Sequence, residues 1–393
     1  MNKFLSLFAK KQKIVAGISS GTSVDAVDVA LVRIKGSGVN TKIKVIDFES
    51  YTVNIKLKNF ILKCSSKRKS NVEEICKLNF ILGSLFASSI KKIISKNKLK
   101  AEDIDLIGSH GQTIYHSPLN EKLFGYNSKS TLQVGEPSVI ANQTGITTIG
   151  DFRTADLSAG GEGAPLVPYL DYILFRHKIM NRAFVNIGGI SNLTYLKKSC
   201  KQNEVIAYDT GPGNMMIDYL TKNFFNRKFD DKGKLASSGN VNEDLFNYIC
   251  SRDEFYKRMP PKSTGREYYG EKFVRQILKK FNKLSPKDII ATFTKFTAFT
   301  IHFGLRNSNY NYCIDELIVS GGGTKNFTLM KFLKEYFHHC EVNVIKESGI
   351  NPDNKEAVLF AVLANELLSG NRANMTSVTG SNKNVFLGKI CIV

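Results

Sequence analysis

The chain has 393 residues, with 55 Lys plus Arg against 35 Asp plus Glu for a formal net charge of +20, and 42% hydrophobic residues. That apolar share excludes a largely disordered chain, and the length suits about two domains of ~100–200 residues, each with a full core. Lysine recurs along the whole chain and its densest cluster with arginine is only Lys67, Arg68 and Lys69, so the charge reads as solvated lysine rather than the concentrated stripe of a nucleic-acid binder. In chain order, IVAGI is a short apolar strand, SSGTSVDA a small-residue turn and VDVALVRI a second strand, together a hairpin over 14–34. A third strand near 43–53 completes a meander. Apolar positions from Val72 to Ile93 recur at helical spacing, with Asn71 as N-cap ahead of Glu73 and Glu74. Asp105 to Gly108 is a short buried strand ending at Ser109-His110-Gly111, and residues 117–131 read as a polar surface loop. A helix at 136–143 and a strand at 146–149 lead to Gly150-Asp151-Phe152-Arg153.

A glycine-dense stretch, Ala159 to Pro165, then runs into an apolar helix from Leu166 to Phe175. The second half repeats the grammar of the first: strand Ala183 to Ile187, a Gly188-Gly189 turn, strand Ser191 to Leu196, strand Val205 to Tyr208. Helices follow at 242–249, 267–281 and 286–305, a strand Leu317 to Ser320, a helix Phe327 to Phe337, a strand Val342 to Ile345 and a helix Lys355 to Leu368. The order strand, glycine turn, strand, strand, helix thus occurs twice, a repeat of topology and not of sequence. It implies an α/β chain with mixed sheets in two related lobes. The expected division is 1–140 plus 367–393 for the first lobe and 141–366 for the second.

The seven cysteines include no C-x-x-C pair and are odd in number, which excludes a disulfide framework and a zinc site and suits reduced thiols in the cytosol. The apolar piece in MNKFLSLFAKKQK is shorter than the ~7–15 residues of a signal-peptide core, and no apolar run approaches the ~20 residues of a membrane span. A cytoplasmic protein with no membrane and no nucleic-acid partner is expected.

Four turns point to phosphate chemistry. Gly21, Thr22, Ser23, Val24, Asp25, Ala26, Val27 and Asp28 form a small, hydroxyl-rich hairpin turn whose backbone suits close approach to a phosphate. Asp25 or Asp28 is placed to hold Mg²⁺ or its waters. Asn186, Gly188 and Gly189 lie in the equivalent turn of the second half; Asp209-Thr210-Gly211-Pro212-Gly213-Asn214 precedes a helix; Gly321, Gly322, Gly323 and Asn326 lie between a strand and a helix. Helix N-termini after glycine turns favour anions, and several such turns in two related lobes suggest a nucleotide clamped between them. Asp156, in a glycine-rich loop before a helix, is well placed as a general base and also fits a cap. Glu356 opens its helix, where an acid also suits the helix dipole. His110 and His116 are six apart, the wrong spacing for zinc on a helix, and with Gln112 suit polar contacts to a sugar. Lys262 and Arg266, after Pro260-Pro261, are placed to face phosphates or simply to serve a turn and its helix.

Together these motifs closely resemble the anhydro-N-acetylmuramic acid kinase family. The matching stretches are SSGTSVDAVD, HGQT, QVGEPSVIA, GDFR with AGGEGAPLVP, NIGGISN, DTGPGN, PPKSTGRE, SGGGTKN and NKEAVLFAVLA, in order from about residue 14 to 369. The resemblance implies an actin/hexokinase/Hsp70-like fold, two lobes of duplicated, ribonuclease H-like topology around a central nucleotide cleft. It implies ATP and Mg²⁺ as cofactors, 1,6-anhydro-N-acetylmuramic acid as substrate, a homodimer, and a place in peptidoglycan recycling. By resemblance Asp156 is the catalytic base, Gly321 to Gly323 and Asn326 lie near the adenosine, and Glu356, His110, Gln112, Glu136 and Arg153 contact the sugar. Ala26 and Ser19 depart from the family's usual glycine and methionine; if position 26 needs positive φ, the first turn is strained there. The C-terminal region with Asn374, Thr379, Gly380 and Asn382 reads as a small strand or arm closing on the first lobe. The alternatives are a related two-lobed kinase for another amino sugar, and a non-catalytic ATP-binding regulator.

Overall fold

Three antiparallel strands start the first sheet: β1 (Gln12–Ser20), β2 (Ala26–Lys35) and β3 (Lys42–Thr52). On the other side of β1 runs β4 (Leu106–Leu123), parallel to it. β5 (Tyr126–Val134) returns antiparallel to β4, β6 (Thr148–Gly150) lies parallel to β4, and the C-terminal strand Lys389–Cys391 closes the edge antiparallel to β6. The second sheet repeats the plan. β7 (Arg182–Ile187), β8 (Ile190–Leu196) and β9 (Ile206–Pro212) form the meander, and β10 (Glu316–Ser320) and β11 (Glu341–Val344) add parallel strands on the far side of β7. Both sheets therefore run third strand, second, first, then two parallel strands. The duplicated, mixed-sheet α/β architecture read from the strand grammar is the one observed. The structure is a computed structural model and describes residues 2–21, 24–66, 68–306, 313–345 and 349–393.

The chain divides into two compact units, Met1–Leu174 with Lys346–Val393, and Phe175–Ile345. Residues 141–174 and 346–366, assigned above to the second lobe, group with the first. The reason is the sheet. β6 is one of its strands, and the helix Lys355–Leu368 packs on β1, β2 and β4. Twelve of that helix's residues are buried, so it is apolar on nearly every side, as a helix within a core must be. Gly17 of β1 and Gly108 of β4 are paired in register. A Cβ on Gly17 would stand 1.8 Å from the Ala357 carbonyl oxygen, and one on Gly108 would stand 2.0 Å from that of Phe360. Only glycine lets the helix backbone come this close.

The remaining core of the first unit joins Ile18, Val29 and Ile107 to Leu82, Phe86 and Ile90 of the helix Val72–Lys96. That helix of 25 residues is long and apolar enough to cross a membrane, contrary to the expectation of no such run, although half of its most apolar window is buried inside the protein. The second unit has one cluster around its sheet and another among its helices, centred on Phe293, Phe296 and Tyr269.

Two expectations change. Residues 117–131 are not a loop but the outer half of the β4–β5 hairpin, with Ser117 opposite Ser130 and Leu123 opposite Tyr126. Phe124 and Gly125, at φ 51° and 85°, make the two-residue turn, the combination of positive φ values that right-twisted hairpins favour. Most of this hairpin is exposed on both faces, so no alternation marked it in the sequence. The helix expected at 267–281 is two, Arg266–Tyr269 and Glu271–Leu278, broken at Gly270, whose backbone is extended (ψ −172°).

Candidate functional site

The first turn joins β1 to β2. Gly21 has nothing within 4 Å of where a Cβ would stand, among the described residues. Thr22 and Ser23 lie outside the described residues. Val24 is buried at φ 55°, so the positive φ anticipated at Ala26 falls two residues earlier. Ala26 and Val27 are simply the first residues of β2. Asp25 is exposed and paired with Lys58. Asp28 sits on β2 between Ser19 and Ser50 of its neighbours. Burial pushes its carboxyl above the usual range, the Ser50 bond opposes this and Asp353 adds to it. Gln112, placed above at the sugar, is buried and holds this turn instead. Its Oε1 accepts from Ser20 Oγ at 2.7 Å and its Nε2 reaches the Gly21 carbonyl at 3.5 Å.

Asp156 lies in the first turn of the short helix Thr154–Ser158 and is fully buried. Its Oδ1 accepts from Asn374 Nδ2 at 2.9 Å and Thr379 Oγ1 at 2.8 Å; its Oδ2 accepts from the Gly163 N–H at 2.8 Å. Gly161 is what lets the loop close over it, since a Cβ there would stand 2.2 Å from Oδ2. The C-terminal arm is locked to the same loop, with Glu162 N–H on the Thr379 carbonyl (2.9 Å) and Asn382 N–H on the Ala159 carbonyl (2.8 Å). Asn374 and Thr379 had been read only as part of a closing arm. Nothing in their spacing from Asp156, more than two hundred residues away, announces the contact.

A second cluster of the same unit gathers His110, Arg153 and Glu356. The His110 ring stacks on Phe360 at 4.5 Å. Its Nε2 accepts from Arg153 Nε at 3.0 Å, and its Nδ1 faces the Gly111 carbonyl at 3.1 Å. This arrangement assigns the neutral, Nδ1-protonated tautomer. Burial, reinforced by the Arg153 charge, pushes the imidazole down to about 3, so it is uncharged near neutrality. Glu356 and Phe360 are four residues apart and share one helix face. Glu356 exposes surface to solvent yet is closely surrounded by protein. That crowding raises its carboxyl; Arg153 opposes the rise and Asp28 adds to it. Glu136, by contrast, caps the helix Pro137–Thr144, accepting from Ser138 N–H (3.1 Å) and Asn79 Nδ2 (3.1 Å).

In the second unit two turns are sewn together through their backbones. Gly213 and Met215 N–H groups bond the Gly189 carbonyl at 2.9 and 3.2 Å, and Asn214 N–H bonds that of Gly188 at 2.7 Å. These N–H groups at the start of the helix Met215–Phe225 are thus already committed, which removes them from the anion site expected there. The helix Pro286–Arg306 supports the pair from behind. Thr297 Oγ1 donates to the Gly213 carbonyl (3.2 Å), and Thr300 fills the place a Cβ on Gly211 would take. Gly188 and Gly189 have neither positive φ nor backbone crowding, so the turn itself does not demand glycine there; the nearest described atom to a Cβ on Gly188 is 3.7 Å away. Asn186 receives Ser320 Oγ at 3.1 Å. Gly321 (φ 88°) and Gly323 are required by their approach to Ile187, whereas Gly322 is open. Asn326 is a helix cap, its Oδ1 accepting from Leu329 N–H at 3.0 Å. Lys262 is engaged within the chain. Its ammonium donates to the Tyr256 carbonyl at 2.8 Å and lies over the Phe255 ring. Beside it Asp209 Oδ2 accepts from Ser263 Oγ and Thr264 N–H at 3.0 and 2.9 Å.

Each unit, then, pairs a braced backbone with a turn glycine that has free space beside it. A profile of the anhydro-N-acetylmuramic acid kinase family matches residues 13–392. An anhydro-N-acetylmuramic acid kinase of Caldanaerobacter subterraneus subsp. tengcongensis is 43% identical over 397 residues, all of both chains. One of Bacillus cereus is 46% identical over 380 residues, covering 96% of this chain and 98% of the relative. Among solved structures, component A of the (R)-2-hydroxyglutaryl-CoA dehydratase of Acidaminococcus fermentans is 13% identical, with a TM-score of 0.44 over 92% of this chain and 100% of that one.

Proposed function

Because the chain belongs to the anhydro-N-acetylmuramic acid kinase family, we propose that it converts 1,6-anhydro-N-acetylmuramic acid, ATP and water to N-acetylmuramic acid 6-phosphate and ADP in cell-wall recycling. The full-length match to the family carries this reading. Water oxygen bonds C1, the C1–O6 bond breaks and its electron pair stays on O6. O6 then bonds the γ-phosphorus as the bond to the departing ADP breaks. Asp156 takes the proton from the water. Its acceptor-only chemistry suits the task, and in the conformation described the glycine loop at 160–163 covers it, so that loop shifts to admit the water. Arg153, set in place by His110, and Glu356, on the helix seated against Gly17 and Gly108, bind the sugar. The neutral His110 orients the guanidinium without competing for its counter-ion. Gln112 acts on the first turn rather than on the sugar, and Glu136 acts through the helix it caps.

Each unit, taken by itself, offers an open turn for a nucleotide phosphate. Gly21 and Gly188 each leave the space a Cβ would fill, and the backbone can approach a phosphate there. The turn at Gly322, equally open, suits the nucleoside end. Magnesium keeps several waters and takes only one or two carboxylates beside substrate phosphates. Among the described residues no group of three or more His, Cys, Asp or Glu is arranged to hold a metal, which suits an ion brought in on the nucleotide. Asp28 would hold it or its waters, since Asp25 is engaged by Lys58. Bound there, Mg²⁺ would neutralise charge developing on the transferring phosphoryl group. The retained Asp156 and Glu356 argue against a non-catalytic regulator.

Incubation with ATP, Mg²⁺ and the anhydro sugar in ¹⁸O-water is the test. Mass spectrometry should find a sugar 6-phosphate with one label at C1; unlabelled phosphorylated product would exclude coupled hydrolysis. Asp156→Asn should lower kcat by about 10²–10⁴-fold. Its amide would also turn an N–H toward one of three existing donors, so a fall in thermal midpoint is expected alongside, with ATP binding by calorimetry kept. Light scattering should find a mass near twice 43.9 kDa if the homodimer implied by the resemblance forms.

A further inference from the structure

Asp156 is held asymmetrically. Oδ1 is gripped by two buried side chains of the C-terminal arm, Asn374 and Thr379. Oδ2 accepts from the Gly163 backbone N–H, and a Cβ on Gly161 would stand 2.2 Å from it. Asn374 is itself fixed at both ends of its amide. Its Nδ2, which has two hydrogens, also lies 2.7 Å from Ser381 Oγ and 3.1 Å from the Lys383 carbonyl, while its Oδ1 accepts from Val385 N–H at 2.7 Å. The Thr379 hydroxyl, whose one hydrogen goes to Asp156 at the shorter distance, also lies 3.2 Å from the Met375 carbonyl, and the Thr379 carbonyl accepts from Glu162 N–H (2.9 Å). One carboxylate oxygen is therefore tied to a rigid lattice of side chains. The other is held through the loop itself, by the Gly163 N–H, and the loop is tied in turn by backbone bonds to the arm and by Lys129 on the Gly160 and Gly161 carbonyls.

We propose that Asn374 and Thr379 are positioning residues for the reaction. They saturate Oδ1 and fix the carboxylate plane, so that Oδ2 alone is left to receive the proton when the Gly160–Gly163 loop shifts. This rests on the reading of Asp156 as the base. An untethered carboxylate would rotate about χ2, which is a broad, two-fold torsion, and present either oxygen at varying angles. The tether removes that freedom before the water arrives, the general advantage of pre-organised geometry.

The test compares Thr379→Val, which keeps shape and loses the hydroxyl, with Thr379→Ser, which keeps the hydroxyl. Steady-state rates are measured at a temperature well below unfolding, with ATP and the anhydro sugar each varied. Thr379→Val should lower kcat about tenfold to a hundredfold, the worth of a hydrogen bond to a charged group, with KM for ATP and sugar held within about twofold as expected when a transition-state interaction is lost. Thr379→Ser should recover most of the rate. A folded Thr379→Val chain with kcat within twofold of the parent overturns the proposal, as does a Ser variant no better than Val. If Thr379→Val does not fold, Ser381→Ala frees Asn374 from one partner and should lower kcat severalfold; an unchanged kcat overturns the proposal. Asp156→Asn separates the two levels. A fully active Asp156→Asn removes the base and the proposal together, whereas an inactive one beside a normal Thr379→Val removes only the positioning role.

Discussion

The two sheets share one strand order and yet secure their turns by different means. In the first unit a side chain joins the backbone: beside the Val24 N–H on the Gly21 carbonyl (3.1 Å), the amide of Gln112, one strand over, takes Ser20 Oγ and reaches the same carbonyl. In the second the backbone does it: Gly188 and Gly189 carbonyls receive three N–H groups from 213–215, and Thr297 adds a single hydroxyl from behind. A turn braced in part by one side chain leans on that residue. A turn held by several backbone bonds tolerates the loss of any one side chain. The same topology has thus been made rigid twice, by unrelated sequence devices.

The largest effects should come from glycines that admit backbone. Gly17→Ala drives a Cβ to 1.8 Å from the Ala357 carbonyl oxygen, so the helix carrying Glu356 must shift. A loss of about 3 kcal/mol is expected, at the upper end for overpacking, read from the urea midpoint at constant slope. Gly213→Ala, 2.3 Å from the Gly188 carbonyl oxygen, should act similarly in the second unit. Gly21→Ala and Gly188→Ala meet no such obstacle and should change stability by no more than about 0.5 kcal/mol, while raising KM for ATP. Equal stability losses in all four would erase the distinction between packing glycines and open ones.

Next in size, Gln112→Leu leaves Ser20 Oγ buried without its best acceptor and should lower stability by about 1–3 kcal/mol. Thr297→Val, against a turn already held by backbone, should lower it by about 1 kcal/mol or less. The reverse order, measured by the same denaturation, would sink the contrast between the two bracing modes.

The smallest effect concerns Lys262. Burial lowers its ammonium to about 8, although Asp253 and Asp209 favour the charge. Between that value and the ordinary lysine range the unfolded chain keeps a proton that the folded chain has released, so stability rises with pH across the window. Lys262→Met lacks this gain. The urea midpoint of the parent relative to the variant should therefore move upward from about pH 7.5 to about pH 9.5. A flat difference would mean the lysine is charged throughout.

Much of the fold was legible in the sequence because its signals are local. Apolar runs bounded by glycine turns marked both meanders, and helical spacing marked Val72–Lys96 and Lys355–Leu368. The β4–β5 hairpin was illegible because most of its residues are exposed on both faces, which leaves no alternation. The break at Gly270 was illegible because the residues on either side keep a helical pattern. At the site, the residue types were legible and their partners were not. Gln112 braces the first turn, Lys262, read as facing phosphate or serving a turn, lies on carbonyls and rings, and Asn326 caps a helix. Each is a polar side chain with several suitable partners, and only the packing selects one.

The sequence by itself determined the two meanders, the order of the glycine turns and the family, because turn chemistry, strand periodicity and motif order are all written along the chain. Composition set the +20 charge and excluded a disulfide scaffold. Tertiary structure decided which glycines admit backbone and which face open space, where the positive φ of the first turn falls, and that Asn374 and Thr379 reach Asp156 from more than two hundred residues away. Those outcomes depend on distances between segments far apart in the chain, and spacing along a chain carries no record of them.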